Sequence, residues 1–244
     1  MFPDGAVAFP TWAVVVLLAL PVFDFLHSLT PWSRRLWTAF DHRAWSQFWS
    51  VVTGIRWVQA AVAGWLVVAV ADVPLSSVGV RLPSLPVTVA CAAAAVGLTA
   101  WYAYAAAREP SVPVADAPTS FTTTYPANGR ERVLWYVSGC VTASVCEEFV
   151  YRGVVLAALL GVGLPWPVAV GGAALAFAAT HGLAVLNPMA LGFYLAFALV
   201  MTGVVVLTGS LLPAVVLHGA NNVWQALEVF REDGLPDAGD ATAT

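Results

Sequence analysis

Residues 141–160 read VTASVCEEFVYRGVVLAALL, and the fold turns on this stretch. A helical crossing of the hydrocarbon core needs about 20 predominantly apolar residues. The stretch has that length and that overall character, yet it carries Glu147, Glu148 and Arg152 in its middle. A charge near a bilayer centre costs about 2.5–3.5 kcal/mol on insertion scales, so such residues point to function unless they find partners.

The composition around it settles the environment. The 244 residues are 60% hydrophobic and 10% charged, with a mean hydropathy of +0.80. An ordinary soluble domain has about 45–50% apolar and about 25% charged residues. So few charges could not cover the surface of a water-soluble globule, which excludes a soluble enzyme, a disordered chain and a nucleic-acid binder. The basic residues are all arginine. With the Ala- and Val-rich content, this points to a GC-rich prokaryotic genome and hence a prokaryotic plasma membrane.

Apolar segments fall at 9–29, 47–71, 85–107, 133–160, 165–186, 188–209 and 211–230, separated by Pro and Gly. The expected fold is all-α: a polytopic membrane helical bundle of about seven transmembrane helices, within a range of six to eight. The chain divides into 1–132, N-terminal helices and cytoplasmic loops; 133–230, a helical core; and 231–244, a short acidic tail. The stretch 108–132 reads as an irregular loop, rich in Pro, Ser and Thr. The first residues lack the positive region of a cleavable signal peptide, so the first apolar segment is expected to stay as a span. No internal repeat of the kind found in many transporters is evident.

Arginines set the orientation. Arg34, Arg35, Arg43, Arg108, Arg130, Arg132 and Arg231 fall in or beside one set of loops, and only Arg81 falls in the other. The positive-inside rule then places the amino terminus outside and the carboxyl terminus in the cytoplasm. Asp24, His27 and Arg56 lie toward the cytoplasmic ends of spans one and two, where long side chains snorkel, and are read as structural. Cys91, Cys140 and Cys146 read as small packing residues.

Three later spans carry polar groups that a structural role explains less well. Glu148 and Arg152 are i and i+4, the favourable order for a pair on one face. Glu147 diverges from Glu148 by about 100° on a helix and has no partner in its own helix, which suits it to proton transfer. Phe177 and His181 in FAATHGL share a face, as do His218 and Asn222 in LHGANNVW. Two chemistries stay open for this set. Glu147 and a histidine could activate water while His218 and Asn222 stabilise an oxyanion. Alternatively Glu147, His181 and His218 could form the first shell of a divalent metal such as zinc. There is no H-E-x-x-H, and Ser138 and Ser210 lack the signature of a serine protease.

In order, Glu147–Arg152 fits E-E-x-x-x-R, Phe177–His181 fits F-x-x-x-H, and His218–Asn222 fits H-x-x-x-N. These resemble the motifs of the CPBP (Abi) intramembrane proteases, which include the type II CAAX prenyl endopeptidases and the lysostaphin-resistance protein A group. The stretch GVVVLTGSLLPAVVLHGANN is similar to that family's lead into its last motif. The resemblance spans residues 133–230 and implies an intramembrane endopeptidase. By it, Glu147 is the main base, His181 assists in activating water, His218 and Asn222 line the oxyanion site, and Glu148 and Arg152 shape the site. The implied substrate is a lipidated or membrane-anchored peptide or protein, presented among membrane lipids. The family has been described both as glutamate-dependent and as metal-dependent. The alternatives are a non-catalytic membrane scaffold or bacteriocin-immunity protein and, behind these, a proton-coupled transporter.

Overall fold

The computed structural model describes residues 6–38, 42–108 and 129–231. Among them no strand occurs; the protein is a helical bundle. The helices are α1 (Thr11–Ser28), α2 (Pro31–Thr38), α3 (His42–Trp65, extended by a π-helical turn Leu66–Val70), and α4 (Leu85–Arg108). A helical stretch over 129–161, called α5, is followed by α6 (Trp166–Ala179), α7 (Pro188–Thr208) and α8 (Leu212–Arg231). Most of the expected loop 108–132 and of the acidic tail lies outside the described residues.

Each of the seven apolar segments contains a helix, but they are not equivalent. Among the described residues, four stretches are long and apolar enough to cross a membrane: Thr11–Ser28, Ser46–Val70, Leu85–Ala105 and Pro188–Thr208. The segment expected over 165–186 is α-helical only over the 14 residues of α6. At 1.5 Å per residue that is about 21 Å, short of the ~30 Å core. The chain then breaks at Thr180 and continues as a 3₁₀ turn, Gly182–Leu186. A span interrupted beside a polar cluster is tolerated only where the freed backbone is buried in protein or lines a cavity.

α5 also departs from a plain span. It begins at Gly129 rather than near residue 133, and two π-helical stretches, Tyr136–Thr142 and Glu148–Val155, interrupt its α-helical pieces. π turns are rare and concentrate at functional sites. Here the second one starts immediately after Glu147.

The helix ends follow from local chemistry. Asn187 opens α7, its Oδ1 accepting from Met189 N at 2.9 Å, with Pro188 in the first turn. Gly209, in the left-handed region at φ 66°, closes α7. Ser210 then caps α8, its Oγ accepting from Leu212 N at 3.2 Å. Arg81 Nε donates to Gly209 O and Ser210 Oγ donates to Arg81 O. Arg81 therefore closes the α7–α8 turn.

The packing places α5 at the centre. α3 lies along its middle, α6 and α8 flank it, α1 packs on α6, and α4 runs along α8. The apolar core joins α1, α3, α5, α6 and α7 through Leu17, Leu66, Val154, Leu156 and Phe177. Large apolar side chains also point outward, among them Val15, Phe23, Val58, Val96, Trp101 and Leu207. Outward apolar faces around buried Glu148 and Arg152 invert the soluble pattern, as expected of a surface solvated by lipid. The protein is an integral membrane protein.

Candidate active site

Glu147 and Glu148 leave α5 in different directions. Glu148, fully buried, takes the i,i+4 partner expected from the sequence: Arg152 NH1 stands 3.1 Å from Glu148 Oε1. The same oxygen accepts from His218 Nδ1 at 2.8 Å. Glu148 thus ties α5 to α8 across 70 positions of sequence. The guanidinium of Arg152 lies over the Phe177 ring, 3.9 Å from its centroid, a cation–π contact that helps hold a buried charge.

Glu147 faces α3. It is not the solitary carboxylate its own helix suggests, because Arg56 Nε lies 3.3 Å from Glu147 Oε1. Arg56 does not snorkel to the interface. Its side chain is buried, with NH1 on Asp24 Oδ2 at 2.5 Å and on Gln59 Oε1 at 3.1 Å, and NH2 on Thr180 O at 3.3 Å. Asp24 and Arg56, read from sequence as structural charges at span ends, are in fact built into the wall of the site. No local pattern in the sequence pairs them, because the partners of Arg56 come from other helices.

His181 sits at the break after α6. Its Nδ1 is 3.2 Å from Phe177 O. A carbonyl only accepts, so Nδ1 carries the proton and Nε2 keeps a lone pair. Thr180 Oγ1 donates to the same carbonyl at 2.7 Å. The imidazole stacks on Tyr194 of α7, with centroids 3.8 Å apart and an interplanar angle of 23°. Phe177 stands between the two histidines, its ring 5.0 Å from His181 and 6.3 Å from His218. His218 donates Nδ1–H to a carboxylate, so it too directs Nε2 away from its anchor.

Asn222 is the member that stays apart. Its Nδ2 donates to Gly139 O at 2.7 Å. Gly139 precedes Glu147 on α5 by eight positions, or about 12 Å of α-helical rise. The sequence motif puts Asn222 on the face of His218, and the structure keeps it there, a turn further along α8.

Among the described residues, no group of three His, Cys, Asp or Glu is placed to hold a metal ion. Arg56 occupies the approach to Glu147, and Glu148 already bridges two cations or donors. Glu147, His181 and His218 as placed therefore do not fit a tetrahedral first shell.

Together the fold and this cluster define a helical integral membrane protein with a buried acid–histidine site built on three helices. Residues 129–224 match the family model of the type II CAAX prenyl endopeptidase Rce1-like proteins. The matched segment carries all three motifs and agrees with the resemblance drawn from them. No curated protein and no solved structure matches the chain.

Proposed function

We propose that the protein hydrolyses a peptide bond in a lipidated or membrane-anchored peptide, using water activated by Glu147 and His181. The observation that carries this reading is that Glu147 stands beside Glu148 on α5 while two histidines, each with its Nδ1 anchored to an acceptor, lie edge-on to the same Phe177 ring. The anchored ring of His181 keeps its Nε2 lone pair for the reaction, while His218, tied through Nδ1 to a carboxylate, serves as an imidazolium that donates from Nε2.

In the proposed reaction Glu147 takes a proton from water and the oxygen adds to the scissile carbonyl carbon. The C–N bond then breaks as the proton passes from Glu147 to the departing nitrogen, leaving a carboxylic acid and an amine, which exchange a proton to give carboxylate and ammonium. His181 Nε2 accepts a hydrogen bond from the same water and aligns it. His218, once protonated, donates Nε2–H to the developing oxyanion while Glu148 balances its charge through Nδ1. Asn222 supports this side by joining α8 to α5 at Gly139.

The test uses purified protein in liposomes with a farnesylated CAAX peptide and a panel of acyl-anchored peptides. Wild type is expected to cleave at least one probe, and Glu147→Ala and His218→Ala to cleave none. If wild type cleaves nothing, or both variants cleave as wild type does, the protease reading is lost and a binding scaffold takes its place. Chelator challenge of the same assay addresses the metal question; this reading expects activity to persist.

A further inference from the structure

The family match begins at residue 129, but the contacts of Glu147 do not stop there. Asp24 on α1 and Arg56 and Gln59 on α3 lie outside it and form a closed network. Gln59 Nε2 donates to Asp24 Oδ1 at 2.9 Å while its Oε1 accepts from Arg56 NH1 at 3.1 Å. Asp24 thereby uses both carboxylate oxygens, one on Gln59 and one on Arg56. Held on that edge, the guanidinium plane is fixed, and its other two edges point outward. One reaches Glu147 Oε1 and the other the carbonyl of Thr180, the residue before His181.

We infer that Arg56, locked in place by Asp24 and Gln59, is a positioning residue of the hydrolytic site that sets Glu147 and the His181 turn in register. The inference rests on the proposed protease reading for its kinetic consequence. One planar fork reaches two groups that come from α5 and from the break after α6. A lysine could not do this, since an ammonium is a point charge on a flexible stem. Charge supports the same role. Arg56 is one cation between two buried carboxylates, Asp24 and Glu147. Removing it leaves two like charges facing each other with no counter-ion, whereas removing Asp24 leaves the fork attached to Glu147 but free to turn. Gly182 keeps the far end of this arrangement tight. It follows His181 at φ 60°, and a Cβ there would fall 2.5 Å from Ser28 Cβ of α1. α1 therefore grips the His181 turn on both sides, through Asp24 and Arg56 and through Ser28.

The test compares wild type with Arg56→Gln, Arg56→Lys and Asp24→Asn in liposomes, using whichever lipidated peptide wild type cleaves. A misplacement of about 1 Å in a catalytic constellation can cost about 100-fold. Arg56→Gln is expected to lower kcat by about that factor, with KM within about 2-fold of wild type. Asp24→Asn, which keeps shape and volume, is expected to lower kcat by about 10-fold, and Arg56→Lys to fall between wild type and Arg56→Gln. A kcat for Asp24→Asn and Arg56→Gln within about 2-fold of wild type, or a loss carried by KM alone, overturns the inference and leaves the protease reading standing. A second readout needs no turnover: the infrared carboxylate band assigned to Glu147 by subtracting Glu147→Gln. Arg56→Gln and Asp24→Asn are each expected to move it, and an unmoved band overturns the inference even if no peptide is cleaved. Should wild type cleave nothing while the band moves, the protease reading falls and the placement of Glu147 by Arg56 stands.

Discussion

Glu147 and Glu148 are adjacent in sequence and belong to two different regions of the molecule. On one side of α5, Glu148 is enclosed by Arg152 of its own helix and His218 of α8, with Phe177 beneath the guanidinium. Every residue there lies inside the family-matched segment. On the other side, Glu147 meets Arg56, which is itself held by α1 and α3, both outside that segment. The first carboxylate neutralises and fastens, within one tightly packed unit. The second is reached by a guanidinium that the other half of the chain holds in place. One dipeptide thus carries an acid tied into the packing and, on the proposed reading, a chemical one, separated by about 100° of helix rotation.

The sharpest way to break this distinction is to neutralise each carboxylate in turn. General acid–base catalysis contributes about 100- to 10,000-fold, so Glu147→Gln is expected to lower kcat by about 1,000-fold while thermal unfolding in detergent shifts little. Glu148→Gln is expected to lower unfolding temperature and activity together, because it loosens both Arg152 and His218. If instead Glu148→Gln abolishes cleavage in a fully stable protein and Glu147→Gln does not, the roles are reversed.

Next in size is the structural side alone. Removing one member of a buried ion pair costs about 3–5 kcal/mol, because the other is left buried and unpaired. Arg152→Met is therefore expected to destabilise by about that amount, somewhat softened by the His218 contact that Glu148 retains. Reversible unfolding in mixed detergent measures it; a change under about 1 kcal/mol would mean that Arg152 is not what compensates Glu148.

How far the sequence foretold these two regions differs between them. The Glu148–Arg152 pair was legible because an i,i+4 relation is written into helical periodicity. The location of most helices was legible from apolar runs and from Pro and Gly at their joins, as with Asn187-Pro188 opening α7. Arg56 was not legible as part of the site. Its contacts lie 32 positions away at Asp24 and 124 away at Thr180, and no local period encodes a partner across such distances. Hydropathy likewise read 165–186 as one span, because Gly182–Leu186 stays apolar after the helix has ended at Ala179. The π turns of α5 had no signal in composition, since a π turn changes hydrogen bonding and phase but not residue type.

A smaller effect sharpens the chemical side. Gly182→Ala would force φ 60° on a residue with a Cβ and drive that atom against Ser28. Strained positions of this kind cost about 1–3 kcal/mol. The variant is expected to lose stability in that range, and a compensating Ser28→Gly to recover the steric part but not the backbone part. Because the turn also carries His181, kcat is expected to fall in Gly182→Ala and to recover partly in the double variant. Equal loss in both would assign the whole effect to φ rather than to the α1 contact.

The smallest expected effect isolates the imidazole itself. Tyr194 touches His181 face to face at 3.8 Å and comes from α7, which supplies neither carboxylate nor histidine to the cluster. Stacked aromatic pairs contribute about 0.5–1.5 kcal/mol beyond area burial. Tyr194→Leu is expected to destabilise by roughly that amount and to lower kcat by only a few-fold, since the Phe177 carbonyl still fixes Nδ1. Tyr194→Phe keeps the ring and should restore both quantities. If Tyr194→Phe is as slow as Tyr194→Leu, the phenol hydroxyl rather than the stack matters. The chemical side of α5 would then extend to α7, and Glu147 would have a neighbour that ring stacking does not explain.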